Sequence, residues 1–180
     1  MANDKRMDQV ILGLLNHNPM TGYEIKKVID TTLHFFWNGS YGSIYPTLSN
    51  LEKKGFVEKE ESSEGRGKIT YTITDAGKGN LREWLQEPVV KDELRYETLL
   101  KLFLGSAIGT EGVIKHIDNF EKKITEELAI LKMMVEQLEC IQDNEDHRNY
   151  LLTARFGVET YQGYLRWCSY AKKVLREKEK

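Results

Sequence analysis

The sequence predicts a mainly α-helical protein in two parts, and only the first part contains strands. Apolar residues recur at spacings of three and four through most of the 180 residues, which is typical of amphipathic helices. A strand-like hairpin pattern interrupts them between residues 55 and 73. Pro88 then breaks the helical pattern, and we predict a domain boundary there, between residues 1–88 and residues 89–180.

The composition excludes several classes of protein. Hydrophobic residues make up 40% and charged residues 30%, as in a globular chain long enough to bury a core. The N-terminus, MANDKRMDQV, lacks the apolar core of a signal peptide, and no apolar run approaches the length of a membrane span. Cys140 and Cys168 show neither disulfide nor metal spacing, which favours a reducing cytoplasm.

Catalytic and metal-binding patterns are absent from the sequence. The four histidines are scattered, without the pair at i and i+4 that a helical metal site uses. No nucleophile motif and no phosphate-binding glycine loop occurs. We therefore expect a protein that is not an enzyme and that has no catalytic residues, no metal and no cofactor.

The first two helices are predicted from spacing and from a capping signature. The segment MDQVILGLLNHNP forms the first helix and ends before Pro19, because the residue that precedes a proline avoids the helical region. Thr21, with Glu24 three residues later, is the capping-box signature that begins the second helix. The apolar faces carry Val10, Ile11, Leu14 and Leu15 in the first helix and Tyr23, Ile25, Val28 and Ile29 in the second.

The stretch GSIYPTLSNLEKKGFV, residues 42–57, predicts the third helix. Its inward positions recur at spacings of four and three: Ile44, Leu48 and Leu51. If Ser43 is the N-cap, Pro46 falls in the first turn, where a backbone N–H has no intrahelical partner anyway. Gly55 suits a left-handed C-cap, so the helix ends there.

A hairpin and a fourth helix complete the first part. Two strand-like runs flank a polar loop, and in the second run Ile69, Tyr71 and Ile73 alternate with Lys68, Thr70 and Thr72. That alternation predicts one buried face and one solvated face. Thr74 then caps a fourth helix, whose apolar residues are Leu81, Trp84 and Leu85.

The second part is predicted to be entirely helical. The segment DELRYETLLKLFLG reads as a short amphipathic helix that ends at Gly105. Apolar residues then fall at 113, 117, 120, 124, 128, 131, 135 and 138, a long coiled-coil-like seam with a stutter. After the polar break CIQDNEDHRN, a last long helix packs back as a hairpin. A lone helical hairpin cannot cover both of its apolar sides, so we expect a partner subunit.

The order of elements in the first part, three helices followed by a hairpin, is that of a winged-helix domain. In helix-turn-helix proteins the second helix of the motif enters the major groove of DNA. Here that helix spans residues 43–54, and its short hydroxyl, amide and ammonium groups suit phosphates and base edges. Its outward candidates are Ser43, Pro46, Ser49, Asn50 and Lys53, with Tyr45 and Thr47 beside them, and the hairpin tip adds Arg66 and Lys68.

Bulk charge does not strengthen the case for DNA. Residues 1–90 hold 11 Lys and Arg against 12 Asp and Glu, and residues 91–180 hold 15 against 16, which together give the net charge of −2. Winged helices also serve as protein-interaction modules. A winged-helix interaction module without DNA binding is therefore the alternative.

Three motifs, GYEIKK, FFWNGSYGSIYPTLSNLEKKGFV and GRGKITYTITDAGK, together resemble the PadR family of bacterial transcriptional regulators. The second part, with DELRYETLLKLFLG and YLLTARFGVETYQGYLRW, resembles the C-terminal domain of its longer, virulence-activator subgroup. The resemblance implies a cytoplasmic homodimer, usually a repressor, that exchanges C-terminal helices between subunits and binds a pseudo-palindromic operator in double-stranded DNA. By position it implies DNA contacts from Tyr23, Tyr45, Pro46, Arg66 and Lys68.

Family members often respond to a small aromatic molecule near the dimer interface. The candidates for such an effector site are Phe36 and Trp37 in the first part and Tyr164 and Trp167 in the second. Aromatic residues at helical spacing are, however, mostly core or interface packing, and both interpretations stay open on the sequence alone.

Overall fold

The computed structural model describes residues 6–37, 41–61, 68–90, 92, 96–141 and 145–177. The chain separates into two compact units, Met1–Asp92 and Glu93–Lys180. Helices make up most of the described residues, and the strands found among them all belong to the first unit. The predicted fold class, a mainly α protein with a winged helix followed by a helical domain, is confirmed.

The first unit has the predicted order of helices and hairpin, with one added strand. Its elements are α1 (Met7–Leu15), β1 (Met20–Thr21), α2 (Gly22–Thr31), α3 (Ile44–Lys53), β2 (Val57–Glu61), β3 (Ile69–Ile73) and α4 (Asp75–Gln86). Short 3-10 turns at Leu33–Phe35 and Tyr41–Ser43 lie between α2 and α3. The sequence did not predict β1, because two residues carry no alternation pattern.

The sheet places β3 between β1 and β2, with both pairs antiparallel. Thr21 of β1 lies opposite Thr70 of β3, and Val57 of β2 lies opposite Ile73 at the base of the hairpin. Because Thr21 is also the N-cap of α2, the start of that helix is bonded directly to the hairpin.

Side-chain caps fix the starts of α2 and α4 as predicted. The Thr21 hydroxyl accepts the backbone N–H of Glu24 at 3.2 Å, and the Glu24 carboxylate accepts the backbone N–H of Thr21 at 2.8 Å, which completes the capping box. The hydroxyl of Thr74 accepts the N–H of Gly77 at 3.1 Å. Both helices thus satisfy backbone donors that have no partner inside the helix.

The end of α3 is a Schellman motif. Gly55 adopts a φ of 72°, and its N–H bonds to the carbonyl of Glu52, while the N–H of Phe56 bonds to the carbonyl of Leu51. At the other end, Ser43 precedes the helix and Pro46 lies in its first turn, as predicted. The proline therefore leaves no intrahelical hydrogen bond unmade.

One apolar core holds the first unit together. Its buried members are Met7, Ile11, Leu12, Leu15, Ile25, Ile29, Ile44, Leu48, Leu51, Val57, Ile73 and Leu81. Two residues predicted to face inward, Val10 and Leu14, pack against this core but are only partly buried, whereas Leu12 is fully buried. Five of the six residues at positions 10–15 are apolar, so spacing alone does not distinguish the overlapping faces of α1.

Three predicted inward positions of the first unit, Tyr23, Ile69 and Leu85, are exposed. Ile69 lies at the far end of the hairpin and keeps 38% of its surface accessible, because the predicted buried face is covered only near the base, around Ile73. On α4, Leu81 is buried and Trp84 partly buried, but Leu85 points to solvent. The apolar alternation at residues 69–73 correctly predicts a strand, but it predicts more burial at Ile69 than the strand has.

The second unit consists of α5 (Glu97–Phe103), a 3-10 turn (Gly105–Ala107), α6 (Gly109–Glu139) and α7 (Glu145–Glu177). The short helix ends at Phe103, two residues before the predicted Gly105, which instead begins the 3-10 turn. Gly109, with a φ of 68°, begins the long helix. A left-handed backbone at this point favours glycine, since a side chain would be strained there.

The α6–α7 hairpin has the predicted seam, with local differences. Buried side chains come from both helices: Ile114, Ile117, Ile124, Leu128, Leu131, Tyr161 and Cys168. The predicted positions Val113, Phe120, Val135 and Leu138 are partly buried. At the end of the hairpin away from the α6–α7 connection, the Lys172 ammonium donates to Asp118 at 2.9 Å and to Glu121 at 2.5 Å. This ion-pair group fastens the end of α7 to the first half of α6.

Candidate nucleic-acid interface

The exposed face of α3 is polar and continuous. Inward residues Ile44, Leu48 and Leu51 keep at most 1% of their surface accessible. Tyr45, by contrast, is 63% accessible. The other exposed side chains along the helix are Pro46, Ser49, Asn50 and Lys53. Within the described residues no ion pair involves Lys53, so its charge is available to a partner.

Two predicted contact residues of α3 are less exposed than expected. Thr47 keeps only 9% of its surface accessible, because it follows Ile44 by three residues and precedes Leu51 by four, on the same buried stripe. Thr47 therefore lies on the core side of α3, and its contact with DNA stays a prediction. Ser43 is partly buried at the N-cap, where its side chain makes no capping hydrogen bond.

Tyr45 packs against the start of α2. A Cβ atom added to Gly22 would lie 2.6 Å from Cε1 of the Tyr45 ring, which is closer than real Cβ contacts allow. The glycine thus lets the first turn of α3 approach the first turn of α2. Tyr23, next to Gly22, points to solvent. Sequence reasoning singled out both tyrosines but missed the glycine that sets their spacing.

The tip end of the hairpin is tied to α2 through Glu24 and Lys68. The Lys68 ammonium lies 3.4 Å from Oε1 of Glu24, and both side chains are substantially exposed. Hydrogen bonds from the backbone and the hydroxyl of Thr21, and then the Lys68 ammonium, lower the pKa of the Glu24 carboxyl. Arg66, the other predicted basic residue of the hairpin tip, lies outside the described residues.

Two further lysines near the helix-turn-helix motif form ion pairs with carboxylates of the first unit. Lys54, at the end of α3, donates to Asp8 of α1 at 3.0 Å. Lys59 of β2 lies 3.1 Å from Glu52 of α3. Both pairs bridge separate elements of the first unit, so these cations serve its packing.

The candidate effector residues of the first unit lie in the connection after α2. Phe36 is exposed, and Trp37 is partly buried with the guanidinium of Arg6 5.9 Å from its ring centre. The indole Nε1 of Trp37 is buried without a hydrogen-bond partner among the described residues. The contact between Arg6 and Trp37 holds the beginning of α1 against the connection that follows α2.

The candidate effector residues of the second unit belong to an aromatic cluster. Tyr164 and Trp167 each contact Phe120, and Tyr164 also contacts Tyr96 and Tyr161. The hydroxyls of Tyr96 and Tyr164 are hydrogen-bonded to each other. Burial raises the pKa of Tyr96, and burial together with the neighbouring Glu127 raises that of Tyr161. Sequence reasoning found two members of the cluster and missed the three that come from other positions or helices.

The described ranges contain neither a candidate metal site nor a candidate membrane-spanning helix. No group of three or more His, Cys, Asp or Glu side chains there is arranged to hold a metal ion. No helix in the described parts of the chain has the length and apolar character needed to cross a membrane.

Two protein-family models match the chain, one in each compact unit. Residues 11–83 match the "Transcriptional regulator PadR-like family" and residues 94–176 match the "Virulence activator alpha C-term" model. A curated relative, the "Negative transcriptional regulator PadR" of Bacillus subtilis (strain 168), is 27% identical over 165 residues, which are 87% of this chain and 90% of the relative.

Solved structures of similar proteins match more than nine-tenths of the chain. The PadR-like transcriptional regulator BC1756 from Bacillus cereus is 28% identical with a TM-score of 0.80, over 96% of this chain and 99% of that one. Bacillus subtilis PadR with operator DNA is 26% identical with a TM-score of 0.79, over 93% and 98%. The same protein with p-coumaric acid gives 25% and 0.74, over 94% and 98%. The chain therefore combines a PadR-like transcriptional regulator domain with a virulence activator alpha C-terminal domain.

Proposed function

We propose that the protein is a homodimeric, sequence-specific DNA-binding regulator of transcription that acts in the cytoplasm as a repressor. The observation that carries this proposal is the exposed polar face of α3, set beside the base of the hairpin on a fully closed apolar core. The crystallisation of Bacillus subtilis PadR with operator DNA, and its name as a negative regulator, support the same conclusion.

The side chains of this face divide into readers of bases and binders of phosphates. The amide of Asn50 can donate to and accept from an adenine edge in the major groove at the same time. Lys53 bears a charge without an ion-pair partner in the described chain, which suits either a guanine edge or a phosphate. Tyr23 and Tyr45 lie at the adjoining helix starts, where hydroxyls contact the DNA backbone. Asn50 would therefore specify sequence, and the two tyrosines would set position.

Dimerisation supplies the affinity that a near-neutral first unit lacks. In the second unit, Phe103 and Phe156 are 87% and 71% accessible, and the exposure of large apolar side chains favours a surface that a partner covers. A dimer doubles the number of phosphate contacts without adding charge to either chain. Its two α3 helices would lie about one helical turn of DNA apart and read a pseudo-palindromic operator.

A small aromatic molecule would act as the effector. Support comes from Bacillus subtilis PadR, which was crystallised with p-coumaric acid. Two separate candidate sites, Phe36 with Trp37 in the first unit or Tyr164 with Trp167 in the second, offer ring surfaces against which such a molecule could pack. Adding p-coumaric acid to the protein–DNA complex should release the DNA; a complex that stays intact at saturating acid would contradict this assignment.

A gel-shift titration with DNA from upstream of the protein's own gene tests the proposal. We expect a complex at low salt whose affinity falls steeply as salt rises, because phosphate contacts release counterions. Absence of a shift at low salt would instead support a winged-helix module that binds proteins. The ion pairs of Lys54, Lys59 and Lys68 with carboxylates favour that second candidate, since they reduce the charge available to DNA.

A further inference from the structure

The carboxylate of Glu24 is held between the start of α2 and the tip end of β3. Its Oε2 accepts from the backbone N–H of Thr21 at 2.8 Å and from the Thr21 hydroxyl at 2.9 Å. Its Oε1 faces the Lys68 ammonium at 3.4 Å. The capping bonds use one oxygen and fix the group, so the other oxygen presents a positioned negative charge to Lys68.

The strand pairing sets this distance independently of the two side chains. Thr21 lies opposite Thr70 in the β1–β3 ladder, Glu24 follows Thr21 by three residues, and Lys68 precedes Thr70 by two. The strand pairing therefore places Glu24 and Lys68 close together, whichever rotamers their side chains adopt. Lys68 is held beside the first turn of α2, and in helix-turn-helix proteins this helix crosses the DNA backbone.

The ion pair is weak enough to exchange. Both side chains are exposed, at 61% for Lys68 and 44% for Glu24, and exposed ion pairs contribute little to stability because water screens the two charges. A DNA phosphate near the start of α2 would compete with the carboxylate for the same ammonium. It would also lie close to a fixed negative charge.

We propose that Glu24 acts as an internal counter-ion that withholds Lys68 from DNA phosphates in the free protein. This inference rests on the proposed DNA-binding function, and it makes Glu24 a positioning residue that limits affinity for any DNA sequence. The limit falls on phosphate contacts alone, since neither group belongs to the base-reading face of α3. Sequence-independent binding is therefore held down, while the discrimination supplied by Asn50 is untouched.

The substitution Glu24→Gln separates this role from helix capping. Glutamine keeps an oxygen that accepts the Thr21 N–H, so the capping box survives while the charge is removed. Glu60→Gln is a matched control. Glu60 lies opposite Thr70 on the other side of β3, at the same level as Thr21, and no ion pair joins Glu60 to Lys68 within the described chain.

The test is a double-mutant cycle read by fluorescence anisotropy with a labelled duplex of random sequence, which reports phosphate contacts without requiring the operator. We expect Glu24→Gln to bind about threefold to tenfold more tightly than wild type, and the gain to disappear in the Lys68→Ala background, as a coupled pair requires. Thermal unfolding of each variant in the absence of DNA checks that the fold is retained.

Each other outcome contradicts a specific statement. Equal or weaker binding by a folded Glu24→Gln variant overturns the inference and leaves the proposed function standing. A gain that persists with Lys68→Ala, or that Glu60→Gln reproduces, means general repulsion of DNA and overturns the role of Lys68. Absence of any wild-type binding at low salt overturns both the inference and the proposed function.

Discussion

The two units differ in what they leave exposed. The first unit buries a closed apolar core beneath α3 and presents polar side chains on the outer face of that helix. The second unit buries a seam between α6 and α7 but leaves large apolar side chains such as Phe103 and Phe156 in solvent. The first unit is thus complete as a fold and directed at a polar partner. The second unit leaves an apolar surface, which we propose that a second copy of the chain covers.

The core beneath α3 should show the largest effect when it is broken. Leu48→Ala removes a fully buried side chain, and truncations of this kind cost about 2–5 kcal/mol. Denaturant unfolding followed by circular dichroism should register that loss, whereas the exposed neighbour Ser49→Ala should stay within about 0.5 kcal/mol of wild type. Equal effects at the two positions would mean that the buried and exposed faces of α3 are assigned incorrectly.

Substitutions on the apolar surface of the second unit should weaken dimerisation without reducing the stability of the fold. Phe156→Ser replaces an exposed ring, so the stability of the subunit should change little while dimerisation weakens by about 2 kcal/mol or more. Sedimentation velocity over a concentration series measures the shift toward monomer. Glu159→Gln, an exposed polar change on the same helix, serves as the control. An unchanged dimer with Phe156→Ser would place the interface elsewhere.

The contact between α2 and α3 should give an intermediate effect. Gly22→Ala introduces a Cβ into the Tyr45 ring, so the ring must move and DNA binding should weaken about tenfold, a cost of about 1.4 kcal/mol. Gly13→Ala is the matched control, because a Cβ at Gly13 meets no atom within 4 Å. Fluorescence anisotropy compares the two variants with wild type. Equal affinity for both would show that the Tyr45 ring does not contribute to binding.

The capping charge of Glu24 should give the smallest effect, visible only in the pH dependence of stability. Its pKa is lowered from the ordinary value of 4.5, so its contribution is present above pH 4.5 and is lost as pH falls through the lower folded-state value. The difference in free energy of unfolding between wild type and Glu24→Gln should therefore shrink on acidification. Urea unfolding over a pH series measures it, and a difference that grows toward acid would have the wrong sign.

The sequence predicted those features that local patterns determine. The capping box at Thr21, the first-turn position of Pro46 and the left-handed Gly55 all depend on residues within a few positions of one another. Each was confirmed because backbone chemistry at a helix end leaves few alternatives. The buried stripe of α3 was predicted for the same reason, apart from Thr47, whose hydroxyl suggested an outward position.

The features that sequence reasoning missed all depend on contacts between distant segments. Strand β1 exists because Thr70 pairs with Thr21, and that pairing in turn brings Lys68 to Glu24. Gly22 is required by a tyrosine of the next helix. The ring cluster of the second unit likewise brings Tyr96 and Phe120 to Tyr164 from distant positions in the chain. No spacing rule along the chain encodes such neighbours, since they are fixed only when the elements pack.

The central claim, that the outer face of α3 reads DNA sequence, is tested most directly at Asn50. Fluorescence anisotropy would compare wild type and Asn50→Ala on a duplex that the wild-type protein has selected from a random pool, and on an unselected random duplex. We expect Asn50→Ala to lose about 1–3 kcal/mol of the preference for the selected duplex over the random duplex. Its affinity for the random duplex should stay unchanged. A variant that retains the full wild-type preference would contradict the claim.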